Sequence, residues 1–313
     1  MADRPAILIV KLGALGNIVL SLNAFAAIRA HHPQARISVL TTAPYAAWLR
    51  AAPWFDEVLV DTRPRWWDLA GVRRLRRLLT EPGFTRVYDL QTSSRSSHYL
   101  RLFPRGRKPE WSGIAPGCSH PDRDSRRNRL HDNDRQAGQL RQAGIGVIPP
   151  ADLSWCRGDI GRFGLPRDFV VLVPGSAPHR PVKRWPAARY QALAGALRAE
   201  GLTPVILGSA AETPLARSIP SAVDLTGRTD FGDLADIGRA ARFAVGNDTG
   251  PMHLLATAGC PAVVLFSADS DPALCAPRGR DVRVVRRAAL ADLTIEDVLA
   301  ALPRLVPRLV SAA

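Results

Sequence analysis

The hydrophobic positions of this chain fall into short runs that alternate with longer stretches of helical spacing. In the first half, apolar runs rich in β-branched residues cover 6–10, 37–41, 57–60 and 86–90. Helical patterns lie between them at about 17–31, 44–52 and 67–80. This alternation is typical of a parallel sheet whose strands are joined by crossover helices.

The middle of the chain interrupts this pattern. From about residue 104 to 135, Pro, Gly, Arg and Asp replace the apolar periodicity, which predicts a long loop of a kind that is often functional. A helix is predicted again at 131–143. The paired prolines of "GIGVIPPADLSW", at 144–155, resist both helix and sheet interior and therefore predict a linker between domains.

A second series of strands and helices follows the linker. Its strands begin near 169, 203, 222, 242, 261 and 282, and its helices cover 187–200, 212–218, 231–240, 250–258 and 294–310. We predict an α/β fold of two doubly wound, Rossmann-like parallel-sheet domains facing a central cleft. The boundaries are 1–150 and 151–293, with a terminal helix in 294–313. Ligands of such sheets bind beyond the carboxyl ends of the strands, which suits a transferase with two substrates.

The net charge of the chain gives information about its partners that the pattern of strands and helices does not. The chain of 313 residues has a formal net charge of +14, which implies an anionic partner: nucleic acid, a phosphorylated lipid surface or a nucleotide-linked substrate. Basic and aromatic residues do not interleave as a stacking platform requires, so nucleic acid is not favoured. Lys11, Lys108 and Lys183 are the only lysines. Where arginine is the usual cation, a lysine can serve as a compact point charge.

Cysteine, histidine and apolar-run patterns limit the other classes. The four cysteines form no C-x-x-C pair, so ordinary thiols are favoured over a zinc site or a disulfide framework. His131, His179 and His253 do not fall at metal-ligand spacing, and no metal is expected. The first apolar run is short and no run approaches the roughly 18 residues of a membrane span. We therefore expect a cytoplasmic protein without a signal peptide.

The segment "VGNDTGPMHLLATAGCPAVVLF", at 245–266, holds the strongest local signal. A strand is followed by a tight turn, and Pro251 suits the first turn of a helix. The backbone N–H groups of Thr249 and Gly250, with the helix dipole behind them, would bind a phosphate. Capping of the helix by Asp248 and Thr249 explains the same residues without a ligand.

A second strand-to-helix segment in this half, "LVPGSAPHRPVKRWPAARY" at 172–190, carries small and basic residues. Gly175 and Ser176 permit close backbone approach, and Lys183 brings positive charge. A solvated basic loop is the alternative, but two such turns in one domain favour a bound diphosphate. Glu212 follows the next strand and can accept ribose hydroxyls, or can simply favour a helix N-terminus.

The first half offers polar residues at two strand ends. Gly13 and Gly16 do not form G-x-G-x-x-G, and no acidic residue follows the next strand, so a dinucleotide dehydrogenase is poorly supported. In "YDLQTSSRSSHYLRLF", Asp89, Gln91 and Arg95 can line an acceptor site or belong to a capped helix start.

Four segments together resemble glycosyltransferase family 9, the ADP-heptose:lipopolysaccharide heptosyltransferases. "GNDTGPMHLLATAGCPAVVLFS" resembles the D-[ST]-G-x-x-H motif, and "PGSAPHRPVKRWPAARY" resembles the K-x-W-P segment. "YDLQTSSRSS" resembles D-L-Q-x-x-x-[RK]-S, and "VKLGALGNIVLSLNAFAAIRAHHP" resembles the N-terminal turn and helix. The resemblance covers nearly the whole chain, with the motifs in family order.

The resemblance implies an inverting GT-B glycosyltransferase without a required metal or cofactor. It implies ADP-heptose as donor substrate, or a different donor sugar or acceptor within the family, and an anionic lipopolysaccharide inner-core acceptor. That acceptor implies peripheral contact with the cytoplasmic face of the inner membrane. The terminal helix can cross back to the first domain. The implied donor-binding residues are Ser176, Lys183, Glu212, Asp248, Thr249, Gly250 and His253, and the implied acceptor-binding residues are Gly16, Gln91 and Arg95.

Position 17 departs from the family pattern. The family's first turn reads G-D, and that Asp is the expected general base, whereas this chain has Gly16 followed by Asn17. A neutral amide cannot accept the proton of the attacking hydroxyl at ordinary pH. Either another base such as Asp89 serves, or the enzyme is slow or inactive and only binds the nucleotide sugar, or the sequence carries a substitution here.

Overall fold

The computed structural model describes residues 4–176 and 180–303. It divides the chain into two compact units, Met1–Trp155 and Cys156–Ala313. The division falls at the C-terminal end of the segment 144–155, for which the prolines predict a linker. His179 and residues 304–313 lie outside the described residues. Among those described, no helix is both long enough and apolar enough to cross a membrane.

The first unit is built on a parallel sheet flanked by helices. Its strands are β1 (Ala6–Val10), β2 (Arg36–Thr41), β3 (Glu57–Val60), β4 (Arg86–Asp89), β5 (Glu110–Gly113) and β6 (His120–Pro121). They are ordered β3-β2-β1-β4-β5-β6. The helices are α1 (Leu15–Val19), α2 (Leu22–His31), α3 (Ala43–Arg50), α4 (Leu69–Thr80), α5 (Ser94–Tyr99) and α6 (Asp132–Gln142).

The second unit repeats this plan. Its strands are β7 (Phe169–Val173), β8 (Thr203–Ile206), β9 (Val223–Asp224), β10 (Ala244–Asn247), β11 (Ala262–Phe266) and β12 (Val282–Arg286). They are ordered β12-β11-β10-β7-β8-β9. The helices are α7 (Ala187–Ala199), α8 (Thr213–Arg217), α9 (Phe231–Ala240), α10 (Gly250–Thr257), α11 (Pro272–Cys275) and α12 (Ile295–Ala300).

The strand order of both sheets confirms the predicted α/β fold class. Each sheet starts at an inner strand, β1 or β7, winds outward on one side, and then continues on the other side through β4 or β10. Every residue of β1, β7 and β11 is buried, as expected of parallel strands covered on both faces. The change of direction creates a ligand crevice beside the carboxyl ends of these inner strands.

Each unit packs its own apolar core. In the first, Leu8, Val10 and Trp111 belong to a cluster that also receives Leu75 and Leu79 from α4. The second unit joins its sheet to α7 and to the described part of the C-terminal segment. Its cluster includes Trp185, Tyr190, Phe243, Leu293 and Val298.

Three predicted elements are wrong in extent. The helix expected at 17–31 is two helices, which are interrupted at Leu20 and Ser21. The loop expected at 104–135 contains β5 and β6, which are so short that no period-2 alternation is visible in the sequence. The helix expected at 294–310 ends at Ala300 within the described residues, and Pro303, which lacks a backbone N–H, follows closely.

Candidate functional site

Asn247 joins the two loops that follow the inner strands β7 and β10 of the second sheet. It is fully buried at the end of β10. Its Nδ2 donates to the carbonyls of Pro174 and Gly175, at 2.7 and 3.1 Å. Its Oδ1 accepts from the Trp185 N–H and the Tyr190 hydroxyl, both at 3.1 Å. One amide thus fixes the β7 loop beside the start of α10.

Helix α10 begins without a side-chain cap. Thr249 is the N-cap residue and is extended, but its side chain makes no capping bond, and its hydroxyl donates instead to the Asn247 carbonyl at 3.2 Å. Pro251 stands in the first turn, as the sequence predicts. The capping explanation of Asp248 and Thr249 is therefore wrong. The N-terminal end of a helix in this state favours an anion.

Asp248 contacts several polar side chains beside the start of α10. Its Oδ2 accepts from Lys183 Nζ at 2.6 Å and from the Ser270 hydroxyl at 2.7 Å. His253 Nε2 lies 3.9 Å from Oδ1. The side chains of Lys183 and Asp248 are 12% and 8% exposed, so their ion pair is largely shielded from water. Lys183 is the cation for which the sequence predicts a role at a diphosphate, and the fold brings it to α10.

Ser176 is fixed by a neighbouring arginine. Its hydroxyl accepts from Arg184 Nε and donates to the Arg180 carbonyl, both at 3.0 Å. Arg184 Nη2 also donates to the Ser176 carbonyl, at 3.2 Å. The hydrogen bonds of Arg184 therefore stabilise the loop that carries Lys183.

Glu212 lies against the β7 loop. Its Oε2 accepts from the Ser209 N–H at 2.7 Å. Glu212 therefore takes part in a capping box, in agreement with the alternative that it serves a helix N-terminus. Its other oxygen faces Gly175, where an added Cβ would come within 1.5 Å of Oε1. The absence of a side chain at Gly175 is what admits this carboxylate to the edge where Lys183 lies.

Asn17 is exposed on α1, directly after β1. Its Nδ2 lies 3.5 Å from the Gly13 carbonyl, and its own carbonyl accepts from the Ser21 hydroxyl at 2.8 Å. Gly16 is half-buried beside it. The structure thus presents Asn17 at the carboxyl edge of the first sheet, where a side chain can meet a ligand.

Asp89 lies at the same edge but is fully buried. Its Oδ1 accepts from the N–H groups of Gln91 and Thr92, at 3.1 and 3.0 Å. Burial raises the pKa of the Asp89 carboxyl to about 6, against the opposing effect of those bonds and of the charge on Lys11. Gln91 accepts from the Leu12 N–H at 2.8 Å and so joins the loops after β1 and β4.

Arg95 is held over the loop that precedes α4. Its guanidinium lies 5.2 Å from the ring centre of Trp66 and donates to the Pro64 carbonyl at 3.2 Å. Ser93 and Ser96 form a capping box at the start of α5. The capped helix start that the sequence allowed is present, and Arg95 lies in the first turn of this helix.

Two buried polar residues at the carboxyl edges of the sheets, Lys11 and Asn247, were not predicted as parts of the site from the sequence. Lys11 is 2% exposed, and burial lowers the pKa of its ammonium group. Its Nζ donates to the Leu90 carbonyl at 3.0 Å and lies 3.8 Å from Asp132 Oδ2. Lys11 and Asn247 share one signal, since each is a polar residue at the end of a buried inner strand. In the described ranges 4–176 and 180–303, no group of three or more His, Cys, Asp or Glu is placed to hold a metal.

Two Rossmann-like units with polar residues at the carboxyl edges of their inner strands define the GT-B class of glycosyltransferase fold. The model of glycosyltransferase family 9 (heptosyltransferase) matches residues 126–300. Because this match covers more than half of the chain, the protein belongs to glycosyltransferase family 9.

Individual relatives share 20 to 30% sequence identity with this chain over the aligned residues. Lipooligosaccharide heptosyltransferase 2 of Haemophilus influenzae is 30% identical over 129 residues, which span 38% of this chain and 37% of that protein. The structure of a family 9 glycosyltransferase from Veillonella parvula has a TM-score of 0.80 at 20% identity, over 99% of this chain and 98% of that one. Escherichia coli heptosyltransferase WaaC with ADP-2-deoxy-2-fluoro heptose has a TM-score of 0.72 at 20% identity, over 94% and 97%.

Proposed function

We propose that this protein is an inverting glycosyltransferase that transfers heptose from ADP-heptose to a lipopolysaccharide inner-core acceptor. One observation carries the proposal. The shielded Lys183 ammonium lies beside the uncapped start of α10, at the crevice of the second sheet. Preorganised donors and a cation stabilise the diphosphate that departs when the glycosidic bond breaks. The named activities of the relatives support heptose as the sugar.

We assign the donor roles on the basis of these contacts. Lys183 and Ser176 bind the diphosphate, and the phosphate replaces Asp248 as the partner of the ammonium. The backbone N–H groups of Thr249 and Gly250 donate to the same phosphates. The remaining residues shape this site: Asp248 and His253 beside the phosphates, and Glu212 at the ribose.

The acceptor roles belong to the first unit. Arg95 suits an anionic saccharide, because its guanidinium is already oriented by Trp66 and Pro64. Gly16 and Gln91 line the same edge. Asn17 occupies the position of the expected base, with Asp89 as the alternative. No cofactor or metal is required, and we place the protein at the cytoplasmic face of the inner membrane, where such an acceptor is made.

The test is ADP binding by the Lys183→Ala variant. Loss of a charge-assisted bond to a phosphate, with Asp248 left unpaired, predicts an ADP dissociation constant raised at least roughly tenfold in calorimetric titration. Lys108→Ala removes the same charge from an exposed position and controls for net charge. Unchanged affinity in a folded Lys183→Ala variant would remove the basis of the proposal.

A second candidate function is nucleotide-sugar binding without efficient transfer. The observation that favours it is Asn17, since the exposed amide cannot take the acceptor's proton. Turnover of ADP-heptose with a lipid-linked inner-core acceptor separates the two functions. A protein that binds ADP and releases none from the donor sugar is a binding homologue.

A further inference from the structure

The first unit carries an exposed surface that shares Trp66 with the proposed acceptor site, through the contact of that ring with Arg95. Its other members have no role in either proposed substrate site. It consists of Trp66, Trp67, Leu69, Arg73, Arg76 and Arg101, and we call it the Trp67 surface. Trp66, Trp67 and Leu69 are 43%, 74% and 64% exposed. Six large hydrophobic side chains are exposed among residues 4–176 and 180–303, and three of them lie within the short segment 66–69. Leu69 borders a groove whose lining also includes Arg73, Arg76 and Arg101.

This surface is an ordered part of the unit. The inner face of α4 is already packed, because Leu75 and Leu79 are buried in the core. Asp68 caps the helix by accepting from the Gly71 N–H at 2.9 Å. The guanidinium of Arg65 lies 5.3 Å from the ring centre of Trp67. The packing and capping of α4 are therefore complete without the exposed apolar side chains, which remain available for contact with a partner.

The charge around these groups is strongly positive. Segments 62–80 and 101–108 together contain ten basic residues and one acidic residue, Asp68, in a chain whose net charge is +14. The single carboxylate is occupied with capping α4. This concentration of arginine calls for an anionic partner with an extended surface.

We infer that the Trp67 surface binds an anionic phospholipid bilayer. Tryptophan is favoured at the level of the lipid headgroups, and basic residues near an anionic leaflet each contribute about 1 kcal/mol. Leu69, Val72 and Phe103 line the groove with hydrocarbon, which suits acyl chains better than nucleotide bases. The inference rests on the proposed function for the choice of a lipid as the occupant, because the acceptor there is lipid-linked.

The experiment is flotation of the full chain with vesicles, without donor or acceptor. Vesicles of phosphatidylcholine alone are compared with vesicles that contain phosphatidylglycerol. We expect binding only to the anionic vesicles and a fall of at least roughly thirtyfold in the partition coefficient for Arg73→Glu/Arg101→Glu. The matched control is Arg50→Glu/Arg141→Glu, which changes the same charge at exposed helical positions of the same unit.

A second pair of variants isolates the apolar contribution. Leu69→Ser and Trp67→Ala should each weaken vesicle binding severalfold, whereas Val147→Ser, at another exposed position, should leave it unchanged. Equal loss in both arginine double variants overturns the inference, as does binding to RNA with no binding to vesicles. Calorimetric titration with ADP, measured on the same samples, tests the proposed function separately from the bilayer contact.

Discussion

Asn17 stands at the position where the proposed transfer reaction requires a general base. Asn17→Asp places a carboxylate at the exposed start of α1, where it can accept the proton of the attacking hydroxyl. General-base help is worth about 100- to 10,000-fold, so we expect a gain of that order in the rate of heptose transfer. The measurement is ADP release with the lipid-linked acceptor, at saturating donor.

The control for this gain is Asn17→Ala, which removes the amide without adding a base and should show no increase. If the parent is already active and Asn17→Asp changes nothing, another group takes the proton. Asp89 is then the candidate to replace, although its carboxyl is fully buried in the present structure.

The buried carboxyl of Asp89 gives the stability a dependence on pH. Its pKa rises from 3.8 to about 6 on folding, mainly through burial. Between those values the folded chain holds a proton that the unfolded chain has lost, so stability falls as the pH rises. From pH 4 to 7, the free energy of unfolding should drop by roughly 2 to 3 kcal/mol relative to that of Asp89→Asn.

Chemical denaturation of both proteins across this pH range measures the difference. Asp292→Asn removes one exposed carboxyl and controls for the loss of a negative charge. Parallel curves for the parent and Asp89→Asn would show that Asp89 keeps the same proton affinity in the folded and unfolded chain.

At the level of residues, motif spacing was enough to find Lys183 and the α10 start, because a rare lysine and a Gly-Asn-Asp-Thr-Gly turn are visible locally. It was not enough for Asn247, whose four hydrogen bonds reach residues 57 to 73 positions away. Nothing in the sequence near Asn247 indicates these partners. The pairing of Lys183 with Asp248 also depends on strand order rather than on spacing.

Among the elements, the loop after β7 depends on the small size of Gly175. In Gly175→Ala the new methyl group would meet the Glu212 carboxylate and force it away. We expect the dissociation constant for ADP to rise roughly tenfold or more, because the proposed charge-assisted contact of Glu212 with the ribose is lost. Calorimetry gives the affinity, and thermal melting shows whether the fold remains intact.

Gly195→Ala is the matched substitution within α7. Gly195 is exposed, and an added Cβ there meets nothing within 4 Å. Because alanine favours a helix interior over glycine, this variant should gain up to about 1 kcal/mol of stability and bind ADP normally. An equal loss of affinity in both variants would contradict the role given to Gly175.

The elements also show where periodicity fails as a guide. The inner strands β1, β7 and β11 were predicted within one residue, because five consecutive apolar positions are a strong signal. β6 has two residues, His120 and Pro121, and pairs in parallel with β5 through only two positions. An edge strand of that length takes its place from tertiary pairing and has no pattern of its own.

For the molecule as a whole, two consecutive α/β halves were predictable because each half alternates strand and helix. The order of the strands was not, because hydrophobic runs do not say which neighbour each strand takes. Both sheets use the same order outward from the inner strand, and the predicted site residues Asn17, Gln91, Lys183 and Thr249 follow inner strands or their neighbours. A shared topology thus explains why the motifs recur at these positions.

In the proposed nucleotide site, the carboxylate of Asp248 competes with the incoming phosphate for the ammonium group of Lys183. The carboxylate is tethered next to the ammonium, so any incoming anion must displace a rival of very high local concentration. A monovalent anion gains too little from Lys183 alone to do so. A diphosphate adds the N–H groups at the start of α10 and can win the exchange. Under this proposal Asp248 pairs with Lys183 again when the diphosphate product leaves, so the ion pair that disfavours simple anions also favours product release.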